Sequence, residues 1–420
     1  MRRALALLAC LPALAWPGQQ GTTAAADLPP DPAVQKALHA HPAVRAAEAA
    51  LRVEEAQRDR LAAGPHELTV RLAGARRRDA SLDRRMSETE VALERALRLP
   101  GKATRDAEIG EAGLAAARSA LGDALHETAR LLLKTWFDWL REDTAAREWR
   151  TQAGLLGRQA DIADRRVALG DAARLESLLA GAQRAQAEAG AAQAAHRASS
   201  AALEFSRHFP GIPLPEVPTL AVPRPVEGSI DAWREGMLSH SHELKMAEAA
   251  SRRQQALARR ADADRVPDPT VGLRWGSERD GAEKVLGIHL LIPLPGAARE
   301  ASARASQAEV GAAAAREALV RARVEAEARQ AWQRAGAAYG HWQRMAEVAA
   351  RMEDNATLLE KAWRLGEGQI GDLLTARRQA LEARLGARQA QLDASEARYR
   401  LLLDTHQLWP LDADDDHDAH

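Results

Sequence analysis

The chain is 420 residues long, 28% charged and formally −1 at pH 7, a balance that excludes the basic surface needed to hold a polyanion. Its one cysteine, Cys10, excludes an internal disulfide and a thiolate metal cluster. Aromatic residues make up only 4% while Ala, Arg, Glu, Leu and Gln abound, which is the usage of long packed helices and not of a compact globule.

Met1-Arg2-Arg3 precedes an apolar run over residues 4–16, broken only by Pro12, and then a small-residue stretch ending Ala24-Ala25-Ala26. This reads as a secretory signal peptide over residues 1–26. The run is too short to span a bilayer, and no later segment reaches the roughly 18 consecutive apolar residues of a membrane helix, so membrane contact is expected through strands or lipid. Leu7-Leu8-Ala9-Cys10 loosely resembles a lipoprotein cleavage site; the other reading is an incidental signal-peptide cysteine.

The mature sequence is duplicated. Ala47-Glu48-Ala49-Ala50 recurs as Ala247-Glu248-Ala249-Ala250, Leu99-Pro100-Gly101 as Leu294-Pro295-Gly296, Trp136 as Trp332, and Leu169-Gly170 as Leu365-Gly366. Four landmarks in the same order, roughly 195–200 residues apart, define repeats over 27–207 and 229–409. Residues 208–228 between them carry six prolines, which predicts an extended connector.

In chain order, a helix near 42–62 ends at Gly64-Pro65, and Leu68, Val70 and Leu72 then alternate with Thr69, Arg71 and Ala73 as a two-faced strand over about 66–75. After a polar turn at 76–85, a second strand over about 87–99 alternates Val91, Leu93, Leu97 and Leu99 with polar or small residues, Arg95 interrupting the apolar face once. A proline-free helical hairpin over about 103–207 follows, reversing at Leu169-Gly170. The second repeat predicts strands at about 269–277, with Val271, Leu273 and Trp275 on one face, and 284–293, with Leu286, Ile288, Leu290 and Ile292. Its helical hairpin covers about 297–408 and reverses at Leu365-Gly366, leaving an acidic His/Asp tail at 410–420.

Strands of this length with one apolar face suit a tilted barrel, yet four cannot close one. Edge groups left open in hydrocarbon cost several kcal/mol each, so copies of the chain must pair edge to edge. The alternative is two soluble hairpins lying on a helical body, which alternation alone leaves open. The first long helix, about 100 Å at the helical rise per residue, has no globule to pack on, so the long helices must pack on one another.

At this point the sequence resembles the TolC family of outer-membrane efflux proteins from about residue 32 to 409. The resemblance rests on the duplicated helix, hairpin and long-helix plan, the strand-to-helix junctions Pro100-Gly101 and Pro295-Gly296, and the reversals at Gly170 and Gly366. Segments GPHELTVRLAG, LERALRLPGKA and LLLKTWFDWLR look like the cobalt-zinc-cadmium resistance subgroup. The resemblance implies a mainly α fold with a small β part, a homotrimer whose 12-stranded outer-membrane β-barrel continues as a periplasmic α-helical barrel. It also implies two partners, a periplasmic adaptor (membrane fusion) protein and an inner-membrane resistance-nodulation-division pump. Adaptor docking would fall on Arg166, Leu169, Gly170, Asp171, Arg364, Leu365, Gly366 and Glu367, and an acidic ring at the aperture on Asp372 and Glu176. Heavy-metal cations are the implied cargo; drugs, organic solutes or a secreted polypeptide would use the same architecture.

Two His-x-His pairs, His39/His41 and His240/His242, lie i, i+2 on predicted helices and diverge too far to share an ion. The tail residues His417, Asp418 and His420 could bind a divalent cation weakly, or merely solubilise the terminus. No phosphate loop, nucleophile elbow, HExxH or catalytic carboxylate pair occurs, so neither catalysis nor a cofactor is expected. A soluble periplasmic coiled-coil adaptor or scaffold is the rival of another class.

Overall fold

The computed structural model describes residues 27–81, 83–409 and 411. The signal peptide with Cys10, and His417, Asp418 and His420 of the tail, lie outside the described residues.

The element order runs through the same plan twice. The first pass is α1 (Asp31–Ala40), α2 (Pro42–Ala63), β1 (Thr69–Asp79), β2 (Arg84–Ala96), α3 (Lys102–Ala168) and α4 (Arg174–His208). The second is α5 (Ile230–His240), α6 (His242–Ala263), β3 (Thr270–Glu278), β4 (Glu283–Leu291), α7 (Ala297–Arg364) and α8 (Ile370–Asp404). Between α4 and α5 the proline-rich chain has no regular secondary structure.

The short helices α1 and α5 are additions to the sequence reading, each cut from its successor by a cap. His41 Nδ1 accepts from Ala43 N at 3.3 Å with Pro42 at the first helical position, and Ser241 Oγ accepts from Leu244 N at 3.2 Å.

Helices α3 and α7 have 67 and 68 residues, about 100 Å each. Their pairing follows the alanines. Helix α4 buries Ala180, Ala187 and Ala194, and α7 buries Ala328, Ala335, Ala349, Ala356 and Trp363. A heptad spacing of small side chains gives close, left-handed supercoiled packing.

Towards the sheet α3 is flanked by α2 and α6; away from it, by α4 and α8. Helices α6 and α8 both pack against α3 and α7, and they abut end to end: His242 at the start of α6 and His406 just past α8 have ring centroids 5.1 Å apart. In the first repeat His41 and Phe209, 5.7 Å apart, mark the matching junction of α2 with α4. The main core lies at this level, around Trp136, Phe137, Phe205, Tyr399 and Trp409. The N-terminal segment is tied in there: Trp136 Nε1 donates to Asp27 O at 2.8 Å and the Tyr399 hydroxyl to Asp27 Oδ1 at 2.6 Å.

The strands form one antiparallel sheet in the order β1-β2-β3-β4. Its register lines up Val70, Leu93, Leu273 and Ile288 on one rung and Leu72, Val91, Trp275 and Leu286 on the next. All eight are uncovered in the single chain, from 41% exposed at Val91 to 80% at Ile288. The other face is polar and internally paired: Arg71 Nη2 lies 2.9 Å and His289 Nε2 3.2 Å from Glu94, and Arg274 reaches Glu90 at 3.4 Å. Arg95, the one interruption of the apolar face, donates to His66 O at 3.3 Å at the helix end of the sheet.

The β1–β2 ladder runs further than the alternation indicates. Arg76, Arg77 and Arg78 pair with Ser87, Met86 and Arg85, and the Arg77–Glu88 ion pair at 3.2 Å supports this polar end. At the other end β2 stops at Ala96, because Leu97 N donates to Pro269 O and Leu99 N to Asp268. Among the described residues no helix is long and apolar enough to cross a membrane.

Candidate functional site

Both long hairpins reverse through a left-handed glycine. Gly170 (φ 83°) donates to Val167 O at 3.0 Å while Asp171 N reaches back to Arg166 O at 2.8 Å. Gly366 (φ 83°) donates to Trp363 O at 3.1 Å while Glu367 N reaches Ala362 O at 2.9 Å. A Cβ at either glycine would meet nothing within 4 Å, so backbone conformation alone demands glycine there. Leu169 and Leu365 project from the turns at 77% and 64% exposure, beside the exposed Asp171, Arg364 and Glu367.

The two tips are clamped together by a residue that sequence reading passed over. Trp363, 1% exposed, carries the Arg166 guanidinium 5.5 Å from its ring centroid, accepts from Arg166 Nη1 at its carbonyl (3.4 Å) and donates its indole N–H to Glu176 at 3.5 Å. Leu156, Ala160, Ile370 and Leu373 complete its surroundings. The structure therefore joins Arg166 and Glu176 of the first hairpin on one aromatic of the second. Glu176 faces this indole, whereas Asp372, in the first turn of α8, is exposed. A tryptophan beside a reversal, on an otherwise alanine heptad and where the first repeat has Val167, was the available signal.

Behind the tip lies an ion network centred on the buried Arg377. Arg377 bonds Glu353 at 2.7 Å and also Glu360, Arg384 bonds Glu353 at 2.5 Å and Glu148 at 3.2 Å, and Gln152 Nε2 donates to Arg377 O at 3.3 Å. It links α3, α7 and α8. Nothing distinguishes Arg377 in sequence from the many solvated arginines of these helices.

At the opposite end, the two Leu-Pro-Gly junctions differ. Gly101 is left-handed (φ 84°) at the start of α3, whereas Gly296 is extended (φ −131°). Next to Pro100-Gly101, the buried Lys102 extends its Nζ to Asp268 Oδ1 at 2.8 Å, Asp264 at 3.0 Å and Val266 O at 2.8 Å. Asp268 also meets His66 Nε2 at 2.8 Å. Burial alone would raise the Asp268 pKa; bonds from Lys102, His66 and Leu99 N overcome it and hold the value at about 2. The corresponding Pro295-Gly296 junction has no lysine after it.

Among the described residues no group of three or more His, Cys, Asp or Glu is placed to hold a metal ion.

The chain is thus a duplicated one with an open four-stranded sheet, one apolar and one polar face, and paired helices of about 100 Å. Solved structures share this architecture. The chain is similar to the outer-membrane channel OprN (19% identity, TM-score 0.75, covering 90% of each chain). It is also similar to the CmeC outer membrane channel of Campylobacter jejuni (12%, 0.73, covering 92% of this chain and 87% of that one). A third is the outer membrane protein VceC of Vibrio cholerae (14%, 0.72, covering 89% and 95%). The fold is that of the TolC family. No family model and no curated relative matches the sequence.

Proposed function

We propose that the chain is the protomer of a passive duct through the outer membrane of a Gram-negative bacterium, trimeric, with a 12-stranded barrel and a helical tunnel reaching into the periplasm. The observation that carries this reading is the sheet: two full rungs of exposed apolar side chains on one face, ion pairs on the other, and outer edges on β1 and β4 that no described element covers. In hydrocarbon such edges must be paired, and a second and third copy supply the pairing. A water-soluble scaffold would leave the same apolar face in water.

In this reading an inner-membrane pump of the resistance-nodulation-division type supplies the energy, and a periplasmic adaptor engages the tip. Exposed Leu169 and Leu365, flanked by Asp171, Arg364 and Glu367, offer the adaptor apolar contacts with a charged rim. Arg166, Gly170 and Gly366 set the shape of that surface. Three copies of Asp372 would line an entrance that favours cations. Heavy-metal cations are the proposed cargo, supported by the sequence segments around residues 64–74, 93–103 and 131–141. A deletion strain tested against zinc, cobalt, cadmium, copper and several dyes decides it: selective metal sensitivity supports the assignment, and selective dye sensitivity moves the cargo to organic solutes.

A further inference from the structure

The end-to-end junction of α6 with α8 holds a cluster of four histidines: one on α3, one at the end of α5, one at the start of α6 and one just past α8. His406 has its ring centroid 4.9 Å from His240, 5.1 Å from His242 and 5.7 Å from His126, and His126 lies 6.3 Å from His242. Two local concessions make room for it. Helix α8 ends in the same bond pattern as the tips, His406 N to Leu403 O and Gln407 N to Leu402 O, but the left-handed residue (φ 55°) is histidine where both tips use glycine. In the middle of α3, Gly122 leaves space that the His242 ring fills: a Cβ there would stand 2.4 Å from the imidazole. Glycine in a helix interior and histidine in a glycine conformation are both locally unfavourable, and they converge on the same rings.

We infer that this junction is a proton-operated joint centred on His126, fastened while that ring is neutral and loosened when it is protonated within the packed cluster, releasing the end of α8 and the segment after it from α3, α5 and α6.

The surrounding charges set how many protons the joint tolerates. Helix α3 presents Asp123, Glu127 and Arg130; α6 presents Glu243; α7 presents Glu327 and Arg323; α8 presents Arg400 and Asp404. Three of the five carboxylates already have guanidinium partners: Asp404 holds Arg130 and Arg400 at 2.9 Å each, Glu127 pairs with Arg130, and Glu243 with Arg323. Asp123 and Glu327 line the same cavity of about 40 Å³ as His126 and His242, and they are the carboxylates left to balance positive charge placed on the packed rings. Burial holds His126 below the ordinary histidine pKa, with Arg130 and His406 adding to the effect against the pull of Asp404. A depressed folded-state pKa contributes stability that is complete above the unfolded value near 6.5 and is lost as pH falls through the folded one, so the joint opens on acidification below about 6.5.

Hydrogen exchange of the full mature chain at pH 7.5 and pH 5.5, corrected for intrinsic exchange rates, tests this at residues 401–409. The wild type should lose at least about tenfold of its protection there on acidification, with the tip amides around Gly170 unchanged. His406→Gly removes a ring while relaxing the backbone, and should keep protection at pH 7.5 but lose most of the pH response; His240→Gln, at a half-buried position, should weaken the response in part. Equal wild-type protection at both pH values, a full response in His406→Gly, or loosening spread evenly over the chain would overturn the joint. So would zinc ion raising protection of 401–409 at pH 7.5, which would make the cluster a metal site. The result is independent of whether the protein conducts.

Discussion

Lys102 and Asp268, 166 positions apart in the chain, meet at 2.8 Å in a buried contact that bolts the first repeat to the second where sheet becomes helix. Asp268 is charged in the fold down to about pH 2, so its contribution is full above the usual carboxylate pKa of 3.8 and disappears as pH falls from there towards 2. The shift corresponds to about 2 kcal/mol. Asp268→Asn should therefore lower stability by about 2 kcal/mol at pH 7 and flatten the loss of stability between pH 4 and 2, read by denaturant unfolding in detergent.

The two strand–helix glycines should respond differently to the same substitution. Gly101→Ala forces an alanine into φ 84° and should cost about 1 kcal/mol, whereas Gly296→Ala, at φ −131° in open space, should be neutral. Melting temperatures of the two variants, measured side by side, check this.

Trp363→Ala should separate the tips. It removes a fully buried aromatic together with its contacts to Arg166 and Glu176, at a local cost of about 3–5 kcal/mol. Cysteine crosslinks between engineered sites at Leu169 and Leu365 should drop in yield. Gly366→Val, which strains the backbone by about 1–2 kcal/mol without touching Trp363, should weaken adaptor crosslinking while leaving the rest of the tip folded.

Arg377→Met would leave Glu360 and Glu353 without their shared guanidinium at a position only 5% exposed. Arg384 still holds Glu353 and Arg364 still holds Glu360, so a loss of about 1–2 kcal/mol is expected, recovered in part by Glu360→Gln in the same chain because that carboxylate has lost one of its two guanidinium partners. Chemical denaturation of the single and double variants reads the difference.

The duplicated plan, the reversals and the strand faces were legible because each depends on short-range chemistry: alternation, proline exclusion and glycine at φ > 0. Val70, Leu93, Leu273 and Ile288 could each be placed on a face, though not on a common rung, since register needs the partner strand. Helices α1 and α5 escaped because ten or eleven residues carry little periodic signal and their ends are set by the caps His41 and Ser241. Trp363, Arg377 and Lys102 owe their roles to partners 17 to 225 positions away. The histidine pair His240 and His242 was read as divergent along a single helix, yet the break at Ser241 turns both towards His406.

The mass of the purified mature protein, measured in detergent and again after detergent removal, tests the duct most directly. The proposed duct predicts a complex of three chains in detergent that precipitates without it. A stable, water-soluble monomer in plain buffer would contradict it.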